Sequence, residues 1–433
     1  MHTTGPAYFG TVKPLLPRLL CVLVLSQCHL LAENWPAWRG PTGMGVCHEK
    51  GLPITWTKND HVKWRIPLPE RGHSTPVVWE ERIFITQAVG EQRTLMCLSR
   101  NEGKLLWQSA VTTKGKEPTH ATNPYCSASP VTDGERVIVS FASDGLYCYD
   151  FEGKEIWRRT DLGNQIHIWG NASSPVIAGE LCFLNFGPGE TTYLLAVEKR
   201  TGKTVWQHQE EPSGGKSPGT NNGAAANPNF IGSWTTPVLT TVEGNMQLLM
   251  SWPGRLAAYE PNSGKELWRC TGLNPLVYTS PIQSGDTVVA MGGFNGMAIG
   301  VRAGGTGDIT ETRRLWHHPK SPQRIGSGVM HEGRIFIHND PGTAMCIDAK
   351  SGETLWTERL KGAGKTGVNW SSVLLADGNC YTITQGGDCF VFKAGPTFEL
   401  LSVNSLGEAS NASLAASNGE LFIRTHEALW CIK

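Results

Sequence analysis

Three histidines have the residue type and spacing that first suggest chemistry. His73, His120 and His167 follow one another at intervals of 47 residues. Imidazole nitrogens carry protons and bind metals, so side chains at such a regular spacing could surround a metal ion if the fold brings them together. No carboxylate accompanies them at a fixed spacing. We therefore assign no metal site and no catalytic residue to the sequence.

A calcium site would need six to eight oxygen ligands. The candidates are Asp144, Asp340 and Asp388, and each of them is next to a glycine or a proline. Aspartate beside these residues is typical of turns, where its carboxylate bonds to the backbone. The sequence also has no Cys-x-x-Cys pair that would indicate zinc. We expect these aspartates to form turns.

A larger group of aromatic and polar residues lies in segments that we interpret as loops. Aromatic rings near Asn and Arg side chains suit a saccharide or another small polar ligand. The alternative is that these side chains only pack on each other and bond to loop backbone. The predicted binding residues are His73, His120, Tyr125, His167, Trp169, Asn227, Trp234, Tyr278, Arg324 and Trp370.

These loops recur because the chain is repetitive. The motif Gly-Lys-x-x-Trp, or a close variant of it, occurs at 103–107, 153–157, 202–206, 264–268 and 352–356, with weaker copies ending at Trp64, Trp316 and Leu401. The successive tryptophans are separated by 43, 50, 49, 62, 48 and 40 residues. Repeats of this length indicate the blades of a propeller or the turns of a solenoid.

Each repeat contains four short runs of β-branched and aromatic residues, which predict four strands. The units are 74–108, 127–157, 171–206, 233–268, 278–316, 326–356 and 370–401, and an eighth starts at 411 and ends after three strands. An isolated strand at 61–66 carries Trp64, the marker of a fourth strand. The sequence therefore predicts an all-β, eight-bladed β-propeller that this N-terminal strand closes, which removes the exposed sheet edges.

Two features of the repeat predict how the blades pack. The repeat tryptophans are expected to lie between neighbouring blades. Cys97, Cys148 and Cys346 each precede a repeat tryptophan by nine or ten residues, and alanine takes this position in two other copies. A position that accepts Cys or Ala is a small, buried packing site, so we do not interpret the cysteines as a disulfide framework.

The N-terminus and the charge balance limit the location and the partners. Residues 1–32 contain Lys13, Arg18 and a short apolar run, which predicts a signal peptide; Cys28 is an alternative site of lipid attachment. Residues 33–60 are expected to be an extended lead-in, and 61–433 the propeller. We expect removal of 33–66 to destabilise the fold more than removal of 33–56. The 38 basic and 38 acidic residues balance, which argues against a nucleic-acid partner.

The hairpin pattern at 149–157 and 347–356 resembles that of the pyrroloquinoline-quinone-like (PQQ-like) β-propeller family. One branch of this family, the quinoprotein dehydrogenases, binds PQQ and Ca²⁺ at the mouth of the ring, and its alcohol-oxidising members carry adjacent cysteines. This sequence has no adjacent cysteines. The sequence looks more like the other branch, an outer-membrane assembly lipoprotein that serves as a docking platform.

The resemblance implies a periplasmic or secreted, non-catalytic platform without a cofactor, for an envelope protein or a small polar ligand. The alternative that it implies is a PQQ- and calcium-dependent dehydrogenase of alcohols or sugars.

Overall fold

The computed structural model describes residues 1–7, 10, 33–189, 191–210, 232–323, 325–363 and 367–433. Most of the predicted signal peptide and Cys28 lie outside these ranges. From Glu33 onward, the described residues belong to one compact unit. Within the described part of the chain, no helix has the length and apolar character needed to cross a membrane.

The predicted fold is confirmed: eight four-stranded antiparallel sheets form the blades of a propeller. In each blade the first strand lines a central channel and the fourth forms the rim. From the channel outward, the strands of blade 1 are Val77–Trp79, Arg82–Val89, Gln92–Ser99 and Leu105–Thr112; those of blade 2 are Val131–Thr132, Arg136–Ser140, Leu146–Asp150 and Glu155–Arg159; those of blade 3 are Val176–Ala178, Leu181–Phe186, Tyr193–Glu198 and Thr204–Gln209; those of blade 4 are Val238–Val242, Asn245–Trp252, Arg255–Tyr259 and Glu266–Thr271.

The other four blades have the same order. Blade 5 contains Ile282–Ser284, Thr287–Met291, Ala298–Arg302 and Arg314–His318; blade 6 contains Val329–His331, Arg334–Asn339, Thr343–Asp348 and Thr354–Arg359; blade 7 contains Leu374–Ala376, Asn379–Ile383, Asp388–Lys393 and Leu400–Ser405; blade 8 contains Ala415–Ser417, Glu420–Arg424, Ala428–Ile432 and, from the N-terminal part of the chain, Val62–Pro67.

A few short elements lie between the blades. Gly232–Ser233 pairs in parallel with Leu276–Val277, and Gly307–Asp308 pairs in parallel with the rim strand of blade 4. The described helices are a 3₁₀ turn at Ala142–Asp144 and one α-helical turn at Thr310–Arg313.

The ring closes where the sequence predicts it. Val62–Pro67 pairs antiparallel with Ala428–Ile432, so the beginning and the end of the propeller share one sheet. Trp64 lies opposite Cys431 in this pairing, and its indole Nε1 donates a hydrogen bond to the Arg100 carbonyl of blade 1 at 2.7 Å. The closing strand therefore holds blade 8 together and also joins it to blade 1.

The repeat tryptophans lie between blades, as predicted. In six of the copies the indole Nε1 donates to a backbone carbonyl of the next blade: Trp64 to Arg100, Trp107 to Phe151, Trp157 to Lys199, Trp206 to Pro261, Trp316 to Ala349 and Trp356 to Gly395. Trp268 differs, because it bonds to the Gln247 side chain of its own blade. The motif glycine of the next blade packs against the ring; a Cβ at Gly153 would lie 2.6 Å from Trp107.

The small residue of the repeat lies directly opposite its tryptophan on the third strand. Cys97 faces Trp107, Cys148 faces Trp157 and Cys346 faces Trp356. Glycine takes this position in blade 5, where a Cβ at Gly300 would lie 2.1 Å from Trp316 Nε1. All ten cysteines of the described residues are buried and free, which confirms the packing interpretation.

A chain of hydrogen bonds connects the blades around the channel. Just before each first strand there is a serine or threonine, and in blades 2 to 8 its hydroxyl accepts a backbone N–H of the preceding blade at 2.8–3.1 Å. The acceptors are Ser129, Ser174, Thr236, Ser280, Ser327, Ser372 and Ser413. Since adjacent blades share these bonds, the channel wall is a fixed frame for the loops above it.

The lead-in is more integrated than a simple extended segment. Trp35 exchanges backbone hydrogen bonds of 2.8 and 2.9 Å with Val78 of blade 1, and Val46–Cys47 pairs in parallel with the first strand of blade 7. Residues 35–47, which we call the strap, therefore cross the channel. The buried Arg39 fixes the strap, because its Nη2 donates to the carbonyls of Met44, at 2.7 Å, and of Gly328 in blade 6.

The strap crosses at one particular end of the channel. The hairpin turns between first and second strands, and between third and fourth strands, open on one face of the ring, which we call the turn face. Apart from residues 303–313 between the third and fourth strands of blade 5, the longer connections open on the opposite face, the loop face. Trp35 and Val46 pair with the turn-face ends of their partner strands. The strap thus closes the channel toward the turn face and leaves it open toward the loop face.

Candidate ligand site in the channel

The channel holds a cavity of about 570 Å³ that opens on the loop face. Its volume lies within the range of small-molecule sites. Trp38 of the strap forms its floor, and the start of each of the eight blades contributes to its wall. The lining residues are Trp38, His73, Thr75, His120, Thr122, Asn123, Ser127, Trp169, Ala172, Ser174, Trp234, Thr236, Leu276, Tyr278, Phe294, Ile325, Trp370, Ser372, Asn411 and Ser413.

One side of the cavity is a cluster of aromatic rings. Trp234 and Tyr278 stack with their centroids 4.9 Å apart and their planes within 14°, and Phe294 contacts Tyr278 at 5.0 Å. His167 packs edge-on against Trp234 at 4.8 Å. Trp234 is fixed further because its Nε1 donates to the Gly170 carbonyl at 2.8 Å. These contacts preorganise flat apolar surfaces, of which Phe294 is the most exposed, at 43%.

The adjoining loops from the starts of blades 2 and 3 interlock. His120 packs against Trp169 at 4.9 Å, and its Nδ1 lies 2.7 Å from the Thr122 hydroxyl. Asn123 Nδ2 donates to the carbonyl of Trp169 at 2.7 Å and to that of Asn171 at 3.2 Å. The loop that carries Trp169 is thus bonded to its neighbour through side chain and backbone.

The wall at blades 8 and 1 is more polar. His73 and His426 stack at 5.4 Å, and Asn411 Nδ2 lies 3.4 Å from His73 Nε2. Behind them Arg424 is buried, and its guanidinium donates to the Thr86 carbonyl at 2.8 Å and to Gln87 Oε1 at 2.7 Å. Burial lowers the pKa of Arg424 to about 10, so it remains charged at neutral pH.

This environment keeps the two histidines neutral. Burial, together with the positive charges of Arg71 and Arg424, lowers the pKa of His426 to about 4. The pKa of His73 lies well below its usual value, mainly because of burial and, to a smaller extent, because of His426 and the two arginines. Neutral imidazoles can both donate and accept hydrogen bonds, so this wall offers a ligand uncharged polar groups.

The neutral histidines give a testable pH dependence. Their pKa is lower in the folded state than in the unfolded chain. Their contribution to the free energy of unfolding is therefore fully present above about pH 6.5 and is lost as the pH drops toward about 4. We expect His426→Gln to reduce this loss by about 2 kcal/mol, after allowance for partial screening by solvent. Urea unfolding at pH 7 and pH 4.5 measures it, with His61→Gln at an exposed position as the control. An equal loss in His426→Gln and wild type would contradict the assignment.

Six of the ten predicted residues come together here: His73, His120, Trp169, Trp234, Tyr278 and Trp370. His167 supports Trp234 from behind. Tyr125 lies outside the cavity, where its ring packs under the Arg93 guanidinium at 3.9 Å and its hydroxyl donates to the Glu117 carbonyl. Asn227 and Arg324 lie outside the described residues.

The cavity also contains residues that the repeat pattern did not identify as ligand contacts. Trp38 comes from the lead-in, Phe294 from a connection between second and third strands, and Asn123 and Asn411 from the starts of blades 2 and 8. Asn411 lies two residues before the serine that precedes its first strand, the position that Trp234, Tyr278 and Trp370 take in their own blades, which is a usable sequence signal. No such signal exists for Trp38, because it reaches the channel only through the path of the strap.

The three aspartates that were candidates for a calcium site interact with other parts of the protein. Asp144 Oδ1 accepts the Lys114 N–H at 2.8 Å and Asp340 Oδ1 accepts that of Asn369 at 2.8 Å. Asp388 is buried beneath Gly362. In the described part of the chain no three His, Cys, Asp or Glu side chains form a group that could hold a metal. The described cavity lining contains no Asp, Glu, Lys or Arg.

Comparison with known proteins identifies the family. A family model described as "Outer membrane protein assembly factor BamB" matches residues 54–216, 190–324 and 308–395, which is most of the chain. The chain belongs to the PQQ-like β-propeller family. No curated protein sequence matches it.

Solved structures from both branches of the PQQ-like family resemble the chain. BamB from Moraxella catarrhalis aligns with a TM-score of 0.59 and 13% identity, over 86% of this chain and 97% of that protein. A europium-containing methanol dehydrogenase aligns with a TM-score of 0.67 and 11% identity, over 92% of this chain and 90% of that protein. Quinohemoprotein alcohol dehydrogenase from Comamonas testosteroni aligns with a TM-score of 0.67 and 12% identity, over 92% of this chain and 80% of that protein. At these identities the likeness establishes the fold alone.

The cavity residues can be tested against the cofactors of the dehydrogenase branch. Calcium binds through several carboxylate and carbonyl oxygens, and the carboxylates of PQQ would call for basic partners. Because the described lining holds no carboxylate and no lysine or arginine, it does not fit a calcium-bound quinone.

Proposed function

We propose that this protein is an exported, non-catalytic recognition platform of the cell envelope that binds a small neutral ligand in its channel. The observation that carries the proposal is a cavity closed at one end by Trp38, lined with aromatic rings and uncharged polar groups, and without an Asp, Glu, Lys or Arg side chain among its described residues. Periplasmic or secreted location follows from the predicted signal peptide.

A saccharide is the ligand class that suits this wall best. Sugar rings present apolar C–H faces that stack on aromatic rings, while their hydroxyls exchange hydrogen bonds with uncharged polar groups. Trp370 and Phe294 offer partly exposed rings, and His73 and Asn411 belong to the polar wall at blades 8 and 1. Catalysis would require an acid–base pair, a nucleophile or a metal, and the described lining presents no carboxylate to orient one.

Tryptophan fluorescence tests the proposal directly. Neutral trisaccharides such as maltotriose, cellotriose and triacetylchitotriose are titrated into the protein, with a uronic-acid trisaccharide as the charged comparison. We expect saturable binding of at least one neutral sugar, and about tenfold weaker binding in Trp370→Ala and Phe294→Ala, because a truncated central aromatic contact costs more than about 1 kcal/mol.

The matched control is Leu106→Ala, which removes an exposed apolar side chain from the rim of blade 1 and should leave affinity unchanged. PQQ with Ca²⁺ should not raise the melting temperature, since a ligand stabilises a protein only if it binds the folded state. Stabilisation by PQQ and Ca²⁺, or equal binding by all variants, would overturn the proposal.

A second candidate is the docking of an envelope protein. The observation that favours it is the match to the BamB family model, together with alignment to 97% of the Moraxella protein. Docking on the loop face would be unaffected by Trp370→Ala, whereas sugar binding would weaken about tenfold. Affinity for a purified candidate partner in this variant therefore separates the two functions.

A further inference from the structure

A second cavity, of about 790 Å³, opens beside the strap on the turn face. One wall is the strap from Pro36 to Met44, and the opposite wall consists of first strands of blades 2 to 5. Trp38 separates it from the channel cavity, because it lines both. We call this space the turn-face groove.

The first strands around the channel have one edge directed toward the axis, and the strap covers some of these edges. Trp35 bonds to the edge of blade 1, the Pro36 carbonyl accepts the Thr132 N–H of blade 2 at 2.9 Å, and Val46–Cys47 pairs along blade 7. Extended backbone of this chain is thus already bound at three equivalent edges.

Blades 3, 4 and 5 show no such pairing in the described residues. Their first strands, Val176–Ala178, Val238–Val242 and Ile282–Ser284, are each at the end of a sheet, with no strand on the channel side. Val238–Val242 is the longest, with five residues. An exposed edge of this kind carries backbone N–H and C=O groups that can pair with a further strand.

A side chain of blade 5 already bonds to the inner edge of blade 4. Gln283 of blade 5 donates from Nε2 to the Thr241 carbonyl at 3.4 Å, and its Oε1 accepts the Thr240 hydroxyl. Its amide thus occupies one backbone acceptor of this edge, the Thr241 carbonyl, while the same Nε2 donates at 2.8 Å to the Gly285 carbonyl of blade 5. The contact at Thr241 is long and can be exchanged for a better backbone bond.

The groove also provides apolar contacts beside this edge. Leu239 is partly exposed and Met246, on the second strand, is 54% exposed. Met44 of the strap and Ile177 of blade 3 lie on the other walls. Because side chains alternate along a strand, an added strand would direct every second side chain toward these apolar groups.

We propose that the turn-face groove binds an extended polypeptide segment with alternating aliphatic side chains, which adds as a strand to the inner edge of blade 4. The strap establishes the mode of binding on the neighbouring blades, and the groove continues that surface over blades 3 to 5. This site is independent of the ligand proposed for the channel cavity.

The experiment uses a fluorescein-labelled, capped peptide Thr-Val-Thr-Val-Thr and the whole mature protein. Fluorescence anisotropy measures affinity, and hydrogen exchange locates the site. We expect slower exchange at 238–242 and at least tenfold weaker binding of the same peptide with N-methylated valines, because that change removes backbone donors but keeps the side chains.

Protein variants complete the test. Leu239→Asp and Met246→Asp should each weaken binding at least tenfold, and Met246 is exposed enough for its variant to remain folded. Leu400→Asp, at a similarly exposed apolar position on the rim of blade 7, is the matched control. The proposal is overturned if the peptide does not bind, if N-methylation has no effect, or if protection appears on rim strands such as 105–112.

Discussion

Substitution of Trp64 by alanine is expected to lower the free energy of unfolding by about 3–5 kcal/mol, the usual cost of truncating a buried aromatic side chain. Trp64 is buried, and its ring centroid lies 6.2 Å from that of Phe422. The ring also packs against Gly103, and its Nε1 donates a hydrogen bond to the Arg100 carbonyl of blade 1. The substitution therefore removes apolar contacts within blade 8 and the link that closes the ring.

The control for this result is Trp64→Phe, which retains much of the packing but removes the indole donor. Loss of that hydrogen bond leaves the Arg100 carbonyl unpaired at the blade boundary, which should cost about 1–2 kcal/mol. Urea unfolding at neutral pH measures both variants. If Trp64→Ala lost less than about 1 kcal/mol, residues 62–67 would not be an essential part of the closed ring.

The structure changes the expectation for truncation of the lead-in. The sequence suggested that residues 33–56 could be removed at much less cost than 33–66. Trp35, Leu52 and Trp56 are almost fully buried and share one core cluster with Trp64 and the last blade. Each such side chain contributes about 1.5–3 kcal/mol, so we expect the shorter deletion to be strongly destabilising as well, although it keeps the closing strand.

Gly153→Ala is expected to destabilise the protein by about 3 kcal/mol. Gly153 has φ +85°, which costs an alanine about 1–2 kcal/mol. The new Cβ would also lie 2.6 Å from the Trp107 ring of blade 1, and relief of such overpacking costs about 1–3 kcal/mol. The blade boundary must therefore open or the tryptophan must move.

Gly244→Ala provides a matched control for this substitution. Gly244 has φ +80°, but a Cβ there would meet no atom within 4 Å. Gly244→Ala should lower the free energy of unfolding by only about 1–2 kcal/mol, the cost of the left-handed backbone conformation. The difference between the two variants isolates the contact with Trp107, and thermal or urea unfolding of both measures it. Equal losses would show that the glycine of the repeat is required for its backbone conformation alone.

Much of the fold can be predicted from the sequence because the repeat encodes it locally. The turn glycine, the tryptophan after it and the small residue before it recur in register, so each copy predicts the same hairpin and the same packing. Residues such as Gly153, Trp107 and Cys97 occupy the predicted positions. The orphan strand around Trp64 predicted closure because a three-stranded last blade would leave an exposed edge.

The candidate ligand site was predictable only in part. Loops at the starts of the blades converge in any propeller, so their aromatic and polar residues could be named in advance, and six of the ten line the cavity. Tyr125 has the same residue type and a similar position, but it turns away to pack on Arg93. Its direction depends on contacts between distant residues that no local pattern contains.

The sequence by itself determined the number of blades, their closure and the face that carries the long loops, since these follow from a periodic pattern that repeats the same local physics. Only the tertiary structure decided the path of the strap. Trp38 becomes the floor of the channel, and Val46–Cys47 a strand of blade 7, because Trp35 and Arg39 find partners in blades 1 and 6 that are remote in sequence. Such contacts depend on the assembled ring, and a segment that occurs once carries no periodicity from which they could be predicted.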